Sequence, residues 1–140
     1  MKITADTNTL ISATFWSGSS DKIISKAEIK EIELILSNDI IKEYGEVLDY
    51  EEIQDKIKDK KLEMKRTVGK IISVSKIVVP KEKLAIVKND PDDNIILECA
   101  KAGNVDFIIS NDKHLLKLKK FENIPILTPD EFVEKYSSGE

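Results

Sequence analysis

Five short apolar runs separated by amphipathic stretches restrict what this chain can fold into more than any other feature. Ile3 with Ala5, Glu31–Ser37, Ser75–Val79, Asp106–Ser110 and Pro125–Leu127 are each four to seven residues or shorter and rich in Ile, Leu and Val, so each reads as a strand. Pro80 stops the third. Between them the apolar positions recur at helical spacing: after a turn at Asp6-Thr7-Asn8, over Ser19–Glu28, from Asn38 through Leu48, from Glu51 to about Ile72 as one long helix or a helical pair, from Asp93 to about Ala102, after Asn111-Asp112, and from Thr128 through Tyr136. Strands apolar at successive positions are covered on both faces, which predicts an α/β fold, a three-layer α/β/α sandwich around a central, mostly parallel sheet.

With 140 residues the chain can bury one sizeable core. A single domain over residues 1–136 is expected, with 137–140 fraying. Hydrophobic residues at 41% and charged residues at 34% exclude a disordered polymer or a fibrous repeat. No apolar run nears the roughly 20 residues that span a bilayer, and Met1-Lys2-Ile3-Thr4-Ala5-Asp6 lacks the apolar centre of a secretion signal, so a cytoplasmic location away from membranes is expected. The single cysteine, Cys99, cannot form a disulfide within the chain and falls in an apolar run where a small buried hydrophobe is expected. With a single histidine, His114, no multi-histidine metal centre can form, and metal chemistry must rest on carboxylates.

In open parallel sheets, ligands bind beyond the carboxyl ends of the strands. Four acids fall there. Asp6 closes the first strand, Glu43 lies two helical turns past the second, Asp93 opens a helix after the Asp90-Pro91-Asp92 loop, and Asp112 follows Phe107-Ile108-Ile109. Taken singly, Asp93 and Asp112 also suit helix N-caps and Glu43 an ordinary helix surface. Taken together, four carboxylates at one edge repel one another and require a cation. Mg²⁺, or Mn²⁺ with the same ligands, is the natural partner because it takes oxygen ligands and bridges carboxylates to phosphate oxygens. Such an ion also activates water for phosphodiester hydrolysis without a histidine base.

The charge balance agrees. Without those four, the 26 acidic residues fall to 22 and match the 22 basic ones, so a metal-loaded protein need not repel a polyanion. Arg66 is the sole arginine, which leaves phosphate contact to lysines. Lys113-His114-Leu115-Leu116-Lys117-Leu118-Lys119-Lys120 carries four of them and no acid, a candidate phosphate-contacting rim whose alternative is a solvated helix face. Asn8 and Ser110 stand where they would orient ligands or serve as turn residues. Phe15 and Trp16 are expected in the core or at a dimer contact.

These residues carry a family likeness. Ile3-Thr4-Ala5-Asp6-Thr7-Asn8 resembles the opening motif of PIN-domain nucleases, and Leu36-Ser37-Asn38-Asp39-Ile40-Ile41-Lys42-Glu43 resembles their second motif with its helix glutamate. Asp90-Pro91-Asp92-Asp93-Asn94 resembles the third, with Asp93 the best match and Asp90 and Asp92 as candidates for a further ligand. Ile108-Ile109-Ser110-Asn111-Asp112 resembles the fourth, with Ser110 at the usual hydroxyl position. The likeness spans residues 2 to about 131 and is nearest to the compact prokaryotic toxin-type proteins, including the VapC-like toxins. It implies a Mg²⁺- or Mn²⁺-dependent endoribonuclease acting on RNA through Asp6, Glu43, Asp93 and Asp112, helped by Asn8, Ser110, Lys113 and Lys117, usually homodimeric and inhibited by an antitoxin protein. Two alternatives stand beside it: a haloacid-dehalogenase-like phosphatase, which needs a second aspartate where this chain has Asn8, and a PIN-fold binding module that has lost activity.

Overall fold

Parallel pairing brings the carboxyl ends of the apolar runs to one edge. In the computed structural model, which describes residues 1–16, 18–56, 61–87 and 91–137, the elements run β1 (Lys2–Ala5), α1 (Thr7–Phe15), α2 (Ser19–Glu28), β2 (Glu33–Ser37), α3 (Asn38–Leu48), α4 (Glu51–Lys56), α5 (Lys61–Val74) and β3 (Ser75–Val78). They continue with α6 (Pro91–Gly103), β4 (Phe107–Ile109), α7 (Lys113–Leu118), β5 (Lys120–Phe121), β6 (Ile124–Leu127) and α8 (Pro129–Ser137). The sheet order is β3-β2-β1-β4-β6-β5, with every pairing parallel except the β5–β6 hairpin. Flanked by helices, this is the α/β fold expected from the sequence.

β1 holds the centre. Ile3 pairs with Leu34 on one side and Phe107 on the other, and Ala5 with Ile109, so β1, β2 and β4 end side by side. Ile3, Leu34, Ile35, Leu36, Ile108 and Ile109 are all fully or almost fully buried, as the unbroken apolar runs require. α6 lies along β1 to β4, while α1, α2, α5 and α8 pack on one another. Thr128 and Glu131 exchange hydrogen bonds at 3.0 and 3.1 Å, a reciprocal cap that starts α8 as the sequence pattern requires.

Several sequence expectations change. β2 begins at Glu33 rather than Glu31, β3 ends at Val78, and β4 is confined to Phe107–Ile109. Of the two readings of the charged stretch after Glu51, the helical pair is the one found, as α4 and α5, and α2 spans Ser19–Glu28 as expected. α6 starts at Pro91, so Asp93 is its third residue and not its N-cap. Strand β5 was not expected: its turn uses Glu122 and Asn123, both with left-handed φ (45° and 69°), without the glycine that normally advertises such a hairpin. Trp16 is 52% exposed rather than a core residue, meeting Phe15 edge-on with ring centroids 5.9 Å apart. Cys99 is buried as expected, its thiol against Thr4, and burial pushes its pKa up. Ser137 closes α8, and residues 138–140 lie outside the described residues, as does Asp90.

The close approach of α6 to β2 gives a direct test of packing. A Cβ at Gly103 would lie 2.6 Å from Cγ2 of the buried Ile35, whereas one at Gly45 on α3 would meet nothing within 4 Å. Gly103→Ala is expected to cost about 1–3 kcal/mol by overpacking. Gly45→Ala is expected to add about 0.5–1 kcal/mol through helix propensity. Urea denaturation midpoints check both, and an unchanged midpoint for Gly103→Ala would contradict the close contact.

Candidate metal centre

Asp6 sits at the junction where β1 turns into α1. Its amide donates to Ile109 O of the neighbouring strand at 3.2 Å, and its side chain caps α1. Oδ1 accepts from both the amide and the hydroxyl of Thr9, at 2.9 and 2.7 Å, while Oδ2 accepts from the Ser110 hydroxyl. Fully buried Ser110 in turn accepts from the Asp112 amide at 2.9 Å, so one hydroxyl ties the end of β1 to the end of β4. Asp112 caps α7, its Oδ1 accepting from the His114 amide at 2.7 Å.

Burial raises the pKa of Asp6; its hydrogen bonds from Ser110 and Thr9 oppose the rise and the nearby Asp112 charge adds to it. Glu43 belongs to the same field. It reaches back from α3 to accept a hydrogen bond from the buried Thr7 hydroxyl in the first turn of α1. Burial pushes its carboxyl up to about 7, against the Thr7 hydrogen bond and reinforced by the Asp92 and Asp6 carboxylates. Its Oε2 is buried with no hydrogen-bond donor among the described residues. On α6, Asp93 is 6% exposed, and its Oδ2 lies 3.8 Å from His114 Nδ1, which is 3.7 Å from Asp112 Oδ1. Ligand atoms of Asp93, Asp112 and His114 all fall within 4.8 Å of one another.

The structure therefore brings Asp6, Glu43, Asp93 and Asp112 to one edge, chained by shared contacts and mutual repulsion. Glu43 is not the solvated helix residue that its position in isolation would give. Asn8 is exposed in the first turn of α1 and is not drawn into the hydrogen-bond network around Asp6. Lys113 and Lys117 are exposed on α7, the helix that Asp112 caps. Sequence reasoning missed Thr7, Thr9 and the ring of His114. Thr9 was readable in principle as the third residue of a capped helix. Thr7 was not, because its partner is 36 residues away.

A divalent cation fits this donor set. Glu43 Oε2 is buried with no hydrogen-bond donor among the described residues, and the Asp92 and Asp6 carboxylates act on the same group, an arrangement tolerable only with a shared proton or a cation. The predominance of oxygen suits a hard ion.

A family model for the PIN domain (PIN_3) matches residues 2–114. The chain is also similar to the crystal structure of PAE2754 from Pyrobaculum aerophilum, with a TM-score of 0.64 and 11% identity over 99% of this chain and 90% of that one, a likeness of fold. No curated protein sequence matches it. With the family model covering most of its length and its acids gathered at the expected edge of the expected sheet, the chain belongs to the PIN domain family, whose members are generally metal-dependent nucleases.

Proposed function

We propose that the chain is a Mg²⁺- or Mn²⁺-dependent endoribonuclease, the toxin of a toxin–antitoxin pair, acting in the cytoplasm as a homodimer restrained by an antitoxin protein. The observation that carries the nuclease reading is the convergence of Asp6, Glu43, Asp93 and Asp112, from four separate parts of the chain, with more buried negative charge than local donors offset. The toxin role, the RNA substrate and the partners rest on the likeness of the four motifs to the VapC-like toxins. Among the described residues no helix is long and apolar enough to cross a membrane.

In this reading Asp6, Glu43, Asp93 and Asp112 hold the metal, with Asp90 or Asp92 as further ligands. When bound, the ion supplies charge stabilisation at the phosphodiester and activation of the attacking water. Ser110 and Thr9 fix the Asp6 carboxylate, and Thr7 fixes Glu43. Lys113 and Lys117 contact RNA phosphates as point charges, and Asn8 at the rim contacts substrate rather than the acids. The phosphatase alternative fails on family membership and on position 8, where an exposed asparagine replaces the needed acid. A silent binding module would keep the fold and show no metal-dependent cleavage.

Asp6→Asn tests the reading cleanly, because asparagine still caps α1 through its carbonyl oxygen. Metal-dependent cleavage of RNA is expected to fall by on the order of 100-fold or more, beyond what loss of an outer-shell partner costs, with the circular dichroism spectrum unchanged. Full activity in a folded variant would refute the assignment.

Glu43 supplies a second test. Its folded-state pKa of about 7 lies above the ordinary 4.5, so the folded state holds the proton more tightly. This group favours folding fully below the ordinary value, and the contribution is lost as pH rises through 7. In chelator, the Tm of the native protein relative to Glu43→Gln is expected to fall between about pH 4.5 and 7.5. After discounting for solvent screening, the loss is on the order of 1 kcal/mol, or roughly 2–8 °C. A difference that stays flat with pH would contradict the raised pKa.

A further inference from the structure

His114 is the second residue of α7, and its ring, 59% exposed, lies beside the acids. Nδ1 is 3.7 Å from Asp112 Oδ1 and 3.8 Å from Asp93 Oδ2. Both separations exceed an N–H···O hydrogen bond, so neither contact is held by a proton lying directly between the two atoms. They suit a different arrangement. Ligands about 2.1–2.2 Å from one octahedral ion stand about 3 Å apart when adjacent and about 4.3 Å apart when opposite. Separations of 3.7 and 3.8 Å match neither value, but they lie within about 0.8 Å of the adjacent spacing, a gap that rotation of the exposed ring closes, and no other trio of carboxylate, histidine or cysteine side chains among the described residues is gathered as closely.

Resting on the metal-dependent reading above, we propose that His114 Nδ1 is a further ligand of the ion held by Asp93 and Asp112, and that it biases the site toward transition metals over Mg²⁺. Ligation through Nδ1 uses the lone pair of the neutral tautomer that carries its proton on Nε2. Imidazole nitrogen adds affinity for first-row transition ions in rising order from Mn²⁺ through Co²⁺, whereas Mg²⁺ gains little from nitrogen and keeps oxygen ligands and water. Asp112 serves both purposes, because an oxygen that accepts from the His114 amide retains a second lone pair. Capping also fixes where the histidine stands: the same carboxylate that starts α7 places the ring beside Asp93.

The test loads the full chain with Mn²⁺ and records pulsed electron paramagnetic resonance. Nitrogen modulation from a coordinated imidazole is expected, shifting to the ¹⁵N pattern in protein labelled with [¹⁵N]histidine and vanishing in His114→Gln. By calorimetry, His114→Gln is expected to weaken Mn²⁺ binding about tenfold and Mg²⁺ binding by less than about twofold. Bound Mn²⁺ without nitrogen modulation, or equal weakening of both ions, would overturn the assignment of His114 while leaving the carboxylate site intact. Mn²⁺ binding no tighter in the native chain than in the Asp6→Asn/Asp112→Asn double variant would overturn both.

Discussion

One hydroxyl group organises the functional edge of this protein. Ser110 Oγ donates to Asp6, 104 positions away in the chain, and accepts from the amide of Asp112. That link exists because β1 and β4 are parallel neighbours whose last residues, Ala5 and Ile109, pair directly. A one-residue slip in this register would turn Asp6 toward the other face of the sheet. The burial of Ile3, Ile108 and Ile109 on both sides prevents it. Packing thus fixes the register, the register fixes the strand ends, and the strand ends bring the acids together.

Capping and metal ligation make compatible demands on the same acids. Asp6 and Asp112 both cap helices, and each is positioned by doing so. A cap uses one lone pair of one oxygen and freezes the carboxylate, which lowers the entropy that a ligand would otherwise lose on binding a metal. Glu43 receives no such help from its own helix. It is held by Thr7, and the cost appears as a carboxyl driven up to about 7 and an oxygen without a donor among the described residues.

The layered fold, Asp6 and Asp112 were legible in the sequence because strand ends and caps are local signals. Asp93 was legible as an acid near a helix start, though its place within that helix was misjudged by the two residues that Pro91 and Asp92 occupy. β5 was hidden by a turn of Glu122 and Asn123: asparagine adopts the left-handed conformation readily, but a glutamate there is not a turn signal. Of the two places expected for Trp16, the core is excluded by its exposure, because large size alone does not decide burial. Thr7 and the His114 ring were beyond reach, since the contacts that give them meaning join segments distant in sequence or depend on a side-chain rotation.

The most direct measurement is anomalous diffraction from a crystal soaked in Mn²⁺. The account predicts a peak at about 2.2 Å from carboxylate oxygens of the group Asp6, Glu43, Asp93 and Asp112. A well-ordered crystal in which that edge stays empty at saturating Mn²⁺, or in which the ion settles elsewhere on the surface, would contradict it.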